Sequence, residues 1–192
     1  MKIGIVGGSF DPIHYGHIQM AKTALEQCDC QEVWFMPTQD TPLKERSLTE
    51  SRHRVAMIEK VLAMDTRFKL CLKEVQRQGK SYTIDTLREL KQEYPDDAFV
   101  WMIGNDQLAQ FDQWKEVDQL VQLADFVCVD RDGALIQTKY PVQRIHMPMM
   151  PVSSSEIRKG NKLNYVPEAV LAYIYANRLY IKDFVKERVD EK

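Results

Sequence analysis

The chain has 192 residues, 44% apolar and 28% charged, with a formal net charge of −2. That length fits one domain, 1–192, with volume for a sizeable core. The near-neutral charge excludes a nucleic-acid binder working by bulk attraction to phosphate, so no nucleic-acid partner is expected. No apolar run reaches the roughly 18 residues of a membrane span and no secretory leader is seen, so a soluble, cytoplasmic protein without a membrane partner is expected.

Short apolar runs at 2–7, 32–36, 68–72, 98–103, 125–129 and 143–146 read as strands. Helical patterns at 14–27, 49–64, 82–94, 113–123 and 167–176 fall between or after them. Thr49-Glu50-Ser51-Arg52 carries helix-start chemistry, and Tyr94-Pro95 a stop signal. Such alternation predicts an α/β fold: a single Rossmann-like domain, its parallel sheet covered by helices on both faces, with ligands beyond the carboxyl ends of the strands. Cys28 and Cys30 are too close for a C-x-x-C pair, while Cys71 and Cys128 lie in apolar runs and read as small core residues. Reduced thiols suit the cytosol. Met147-Pro-Met-Met150 reads as an interface or a buried connector, which leaves a homo-oligomer open. Residues 38–48 read as a lid, and the charged tail from Lys182 as a solvated or frayed end.

The most informative run is GGSFDPIHYGH, residues 7–17, directly after the first strand. Gly7 and Gly8 permit a positive-φ turn and close approach of backbone N–H groups to an anion. The following helix directs its N-terminus at the same place, and His14 and His17, three apart, share a face and can reach one phosphate. The glycines do not form G-x-G-x-x-G, no G-K-[ST] follows, and neither H-E-x-x-H nor a Cys pair supports zinc. No protein metal site is therefore expected. Two later segments fall at strand ends. Gly104-Asn105-Asp106 offers close approach and a carboxylate for ribose hydroxyls, or a plain turn with a helix cap. Ser153-Ser-Ser-Glu156-Ile-Arg158 is a capping box at an anion-binding helix start, followed by a guanidinium fork for phosphate.

His14-Tyr15-Gly16-His17 matches the hallmark of the T/HxGH nucleotidyltransferases, the HIGH superfamily, which the chain resembles from residue 2 to about 181. The resemblance is greatest to the bacterial nicotinate-nucleotide adenylyltransferase family. It rests also on Glu32-Val-Trp-Phe-Met-Pro37, His53-Arg54, Ser81-Tyr82-Thr83 with Asp85-Thr86, the Gly104 and Trp114 segments, and Val152 to Arg158. It implies transfer of adenylate from ATP to nicotinate mononucleotide, with Mg²⁺ accompanying ATP. His14, His17, Lys44 and Arg158 would be catalytic. Gly8, Ser9, Phe10, Gly104, Asp106, Ser154 and Ser155, with His14, His17 and Arg158, would hold ATP. Thr83 and Trp114 would take the nicotinate ring, with Lys44 and Arg131 near the mononucleotide. The chain departs from the family pattern at Leu43, at Asn105 and at Asp132. Other superfamily transferases, acting on nicotinamide mononucleotide or pantetheine phosphate, and a non-catalytic nucleotide-binding module are the competing readings.

Overall fold

The computed structural model describes residues 1–39, 48–77, 79–130, 133, 136–182 and 184. Six strands, β1 (Lys2–Gly8), β2 (Glu32–Pro37), β3 (Phe68–Leu70), β4 (Ala98–Gly104), β5 (Asp125–Asp130) and β6 (Val142–His146), form one sheet in the order β3-β2-β1-β4-β5-β6. Every neighbouring pair is parallel. The helices are α1 (Tyr15–Gln27), α2 (Ser51–Leu62), α3 (Lys73–Gln76), α4 (Thr83–Glu93), α5 (Asn105–Ala109), α6 (Val117–Leu123), α7 (Ser154–Arg158) and α8 (Glu168–Ala176). Single 3₁₀ turns occupy Phe111–Gln113 and Leu163–Tyr165.

Strand parity builds two apolar layers, one on each face. Ile3 and Ile5 of β1 join Phe99, Trp101 and Ile103 of β4 beneath Leu87 and Leu90 of α4 and Leu120 of α6. Their sequence neighbours Val6, Val100 and Met102 point the other way, against Ile18, Ala21 and Ala24 of α1, Met57 and Ile58 of α2, and Val170 and Ile174 of α8. Both faces being covered is why the strands read as unbroken apolar runs. Each fully buried side chain of this size contributes about 1.5–3 kcal/mol.

Two expectations are corrected. Gly7 and Gly8 do not form a positive-φ turn: both belong to β1, where Gly8 pairs with Pro37 and its carbonyl accepts from the Thr38 N–H at 2.9 Å. The left-handed residue is Phe10, at φ 47°. A Cβ at Gly7 would stand 3.4 Å from the Trp101 ring, an ordinary contact, so packing there does not demand glycine. The pattern at 113–123 becomes a 3₁₀ turn and then α6, because Glu116 is left-handed at φ 52°. α2 does start within the Thr49–Arg52 run, with Glu50 as its cap and no side-chain capping bond, while Thr49 is used as described below. Met147 is fully buried whereas Met149 is 65% exposed, so that run is a connector at one residue and a surface at another.

Candidate active site

The strand order reverses between β1 and β4, which makes their carboxyl ends the place where a parallel sheet opens a ligand crevice. β1 ends at Gly8 and β4 at Gly104. Gly104 has φ −96° and ψ 175°, a conformation open to any residue, and a Cβ there would have no atom within 4 Å. Neither backbone strain nor crowding calls for glycine; an added side chain would only fill the crevice. Asp106, in the first turn of α5, is exposed at the same mouth.

His14 is the N-cap of α1 and His17 its third residue. Their spacing is that of a capping box rather than of a shared helical face. The Gly16 N–H donates to His14 Nδ1 at 3.0 Å, and the His14 N–H donates to His17 Nδ1 at 3.2 Å. The rings stack with centroids 3.8 Å apart. An Nδ1 that accepts an amide proton bears none itself, so each neutral ring carries its proton on Nε2. Gly16 is required by this arrangement: a Cβ there would come within 2.8 Å of His14 Cε1 and 2.9 Å of its Nδ1. His14 is 4% exposed, and His17, half-buried, has its ring edge-on to Phe10.

The loop between β1 and α1 is tied down by distant segments. Arg54, 1% exposed, donates from Nη1 to the Ser9 and Thr38 carbonyls at 2.9 and 2.7 Å, and from Nε to the Thr49 carbonyl at 2.8 Å. Asp11 is fully buried, and Oδ2 accepts from the Thr49 N–H at 3.1 Å. Its carbonyl accepts from Arg158 Nη1 at 2.9 Å, and Ser154 Oγ donates to the Pro12 carbonyl at 2.8 Å. α7 begins with the expected box, Ser153 with Glu156. It thereby brings Ser154 and Arg158 to the loop that carries His14, while Ser155 is exposed beside them.

Thr83 opens α4 and is half-buried. Trp114 is also half-buried, and packs on Phe111 and Phe126 with centroids 5.2 and 6.3 Å away, so one side of the indole belongs to the core. The Ser81 hydroxyl just before α4 and Thr38 Oγ1 just after β2 are buried without a hydrogen-bond partner. Such orphans cost about 1–3 kcal/mol each. Lys44 and Arg131, with Leu43 and Asp132, lie outside the described residues, as do residues 40–47 of the expected lid and most of the charged tail.

Among the described residues, no group of three or more His, Cys, Asp or Glu side chains could hold a metal ion, and no helix is long and apolar enough to cross a membrane. All four cysteines are buried and free. Burial raises each thiol, that of Cys30 to about 12, so they are inert core groups.

Asp11, Arg54 and Tyr180 were assigned no role by sequence reasoning. Arg54 left a signal there: with Met57, Ile58 and Val61 it completes an i, i+3, i+4, i+7 stripe, and an arginine on the buried face of a helix must have buried partners.

A sequence model of the cytidylyltransferase-like family matches residues 5–160. A probable nicotinate-nucleotide adenylyltransferase of Bacillus licheniformis is 43% identical over 185 residues, covering 93% of this chain and 98% of the relative. Another, of Shouchella clausii, is 42% identical, covering 93% and 96%. Plasmodium falciparum nicotinic acid mononucleotide adenylyltransferase complexed with NaAD superposes with a TM-score of 0.75 at 27% identity, over 93% of this chain and 97% of that one. The same enzyme complexed with APC gives 0.74 at 27%, over 93% and 96%. With a family model over residues 5–160 and relatives of this identity along nearly its whole length, the chain belongs to the nicotinate-nucleotide adenylyltransferases of the cytidylyltransferase-like family.

Proposed function

We propose that the chain transfers adenylate from ATP to nicotinate mononucleotide, giving deamido-NAD and pyrophosphate, with the residues above as its machinery. The observation that carries the mechanism is the capped histidine pair at the carboxyl end of β1. Each Nδ1 lone pair is used by a backbone N–H and each Nε2 bears the proton. Neither ring can then serve as nucleophile or base without breaking the start of α1; both can donate to phosphate oxygens.

That suits the chemistry, because the attacking group is a phosphate monoester, anionic near neutral pH. A phosphate oxygen of the mononucleotide attacks the α-phosphorus of ATP, the bond to the β-phosphate oxygen breaks, and pyrophosphate leaves with that electron pair. Catalysis is positioning and charge stabilisation. His17 stabilises charge growing on the α-phosphate, His14, Ser154, Ser155 and Arg158 hold the triphosphate, and Lys44 and Arg158 offset repulsion between the two anions. Gly8, Ser9, Phe10, Gly104 and Asp106 form the adenosine side. Thr83, Trp114 and Arg131 form the mononucleotide side, with the outer face of the indole against the pyridine ring. Mg²⁺ enters as part of the ATP substrate, on phosphate oxygens and water, for which no protein cage is needed.

The test is pyrophosphate release from MgATP with nicotinate mononucleotide, nicotinamide mononucleotide and pantetheine phosphate offered separately. Release chiefly with the nicotinate compound is expected. Release only with another acceptor reassigns the substrate, and ATP binding without release from any of them makes the chain a binding module.

A further inference from the structure

Beyond α8 the chain passes through two left-handed residues, Arg178 at φ 51° and Tyr180 at φ 63°. This conformation is unfavourable for side chains of their size, and persists only where the surroundings fix it. The Tyr180 ring packs on the core layer shared by α1, α2 and α8. Its hydroxyl donates to Asp11 Oδ1, across 169 residues of sequence. Asp11 stands three residues before His14 and is fully buried. Its second oxygen takes the Thr49 N–H, and its carbonyl takes Arg158 Nη1. A single residue thus gathers the tail, the head of α2 and α7 around the loop that leads into the capped histidines. Burial first, then the Asp11 charge and the hydrogen bond to it, push the Tyr180 phenol up, so the hydroxyl keeps its proton and stays a donor.

We propose that Tyr180 is a positioning residue for adenylyl transfer: through Asp11 its phenol fixes the loop bearing His14, and the Arg158 guanidinium attached to that loop, in ATP-facing geometry. The inference rests on the ATP cradle proposed above. Tyr180 touches no reacting atom; it acts on the groups that do.

The test compares Tyr180→Phe, which keeps the ring and deletes the hydroxyl, with Tyr173→Phe. The latter deletes an equally specific phenol contact, to His53 Nδ1 at 2.9 Å, between α8 and α2. Tyr180→Phe should lower kcat about 10- to 100-fold and raise KM for ATP while leaving KM for nicotinate mononucleotide within about twofold, as displacement of a cradle predicts. Tyr173→Phe should lower Tm without that change. Combining Tyr180→Phe with Asp11→Asn should cost no more than Asp11→Asn alone. The proposal is overturned if kcat stays within about twofold of wild type, if both KM values rise together, if Tyr173→Phe reproduces the fall, or if the two losses multiply. Should Asp11→Asn fail to fold, the comparison of the two phenylalanine variants decides. ATP affinity by calorimetry separates this idea from the acceptor assignment. A wild-type chain that binds ATP yet leaves nicotinate mononucleotide unused defeats the latter, and ATP affinity unchanged in Tyr180→Phe defeats the former.

Discussion

Replacing Gly16 by alanine tests whether the histidine pair works as a capped unit. The new Cβ would lie 2.8 and 2.9 Å from two atoms of the His14 ring, where ordinary contact begins near 3.4 Å. The ring has to leave, because the Cβ is fixed to the first turn of α1 while His14 can rotate. Rotation breaks the 3.0 Å bond from the Gly16 N–H and the stack on His17. Loss of an N-cap costs about 0.5–2 kcal/mol, and loss of a ring pair about 0.5–1.5 kcal/mol. Alanine in a helix returns about 1 kcal/mol relative to glycine. The net change in stability is therefore small, about 0–2.5 kcal/mol. Activity responds differently: His17 loses the His14 ring stacked on it and shifts, and a displaced transition-state donor costs about 2.7–4 kcal/mol of barrier, a fall in kcat of roughly 10²–10³. Urea unfolding together with steady-state pyrophosphate release measures both. An alanine variant with kcat near wild type would show that His14 needs neither its cap nor its position, and the argument built on the Nε2 proton would fall.

His17→Ala should lower kcat by the same order, roughly 10²–10³, with the fold retained by circular dichroism; turnover near wild type removes His17 from the mechanism. Trp114→Ala should both lower Tm, because the indole packs on Phe111 and Phe126, and raise KM for the mononucleotide; a fall in Tm with KM unchanged assigns the residue to the core alone. Glu74, 4% exposed, is raised by burial from 4.5 to about 7, against the opposing bond from Thr86 Oγ1 at 3.0 Å. Because the folded state holds this proton more tightly than the unfolded chain, its stabilisation is complete below 4.5 and is lost as pH rises through about 7. The difference amounts to up to about 3 kcal/mol. Urea midpoints at pH 5 and 8 should diverge less in Glu74→Gln than in wild type, and an equal divergence would exclude Glu74 as the source.

The fold was legible because a sheet covered on both faces writes each strand as an apolar run, and all six strands fall within two residues of where the pattern puts them. Helices α1, α4 and α8 were equally plain, each long enough to show a period. The four- and five-residue helices α3 and α5 are too short to carry one. At the site, the sequence showed which residues the motif brings to the end of β1, and local geometry was less legible. The glycine pair suggested a turn, yet the sheet ladder holds Gly8 extended and the chain turns at Phe10, whose ring is buried. The spacing of His14 and His17 suggested a shared helical face. The same interval also separates the N-cap from the third helical position, and the two backbone N–H groups directed at the imidazoles decide between these readings. What no local pattern encodes is the closure of the loop by Arg54, Arg158 and Tyr180, which arrive from 45, 147 and 169 residues away. The motif is therefore only half of the proposed site. Its eleven residues carry the histidine pair, and Arg54, Arg158 and Tyr180 from the rest of the chain hold the loop that bears it.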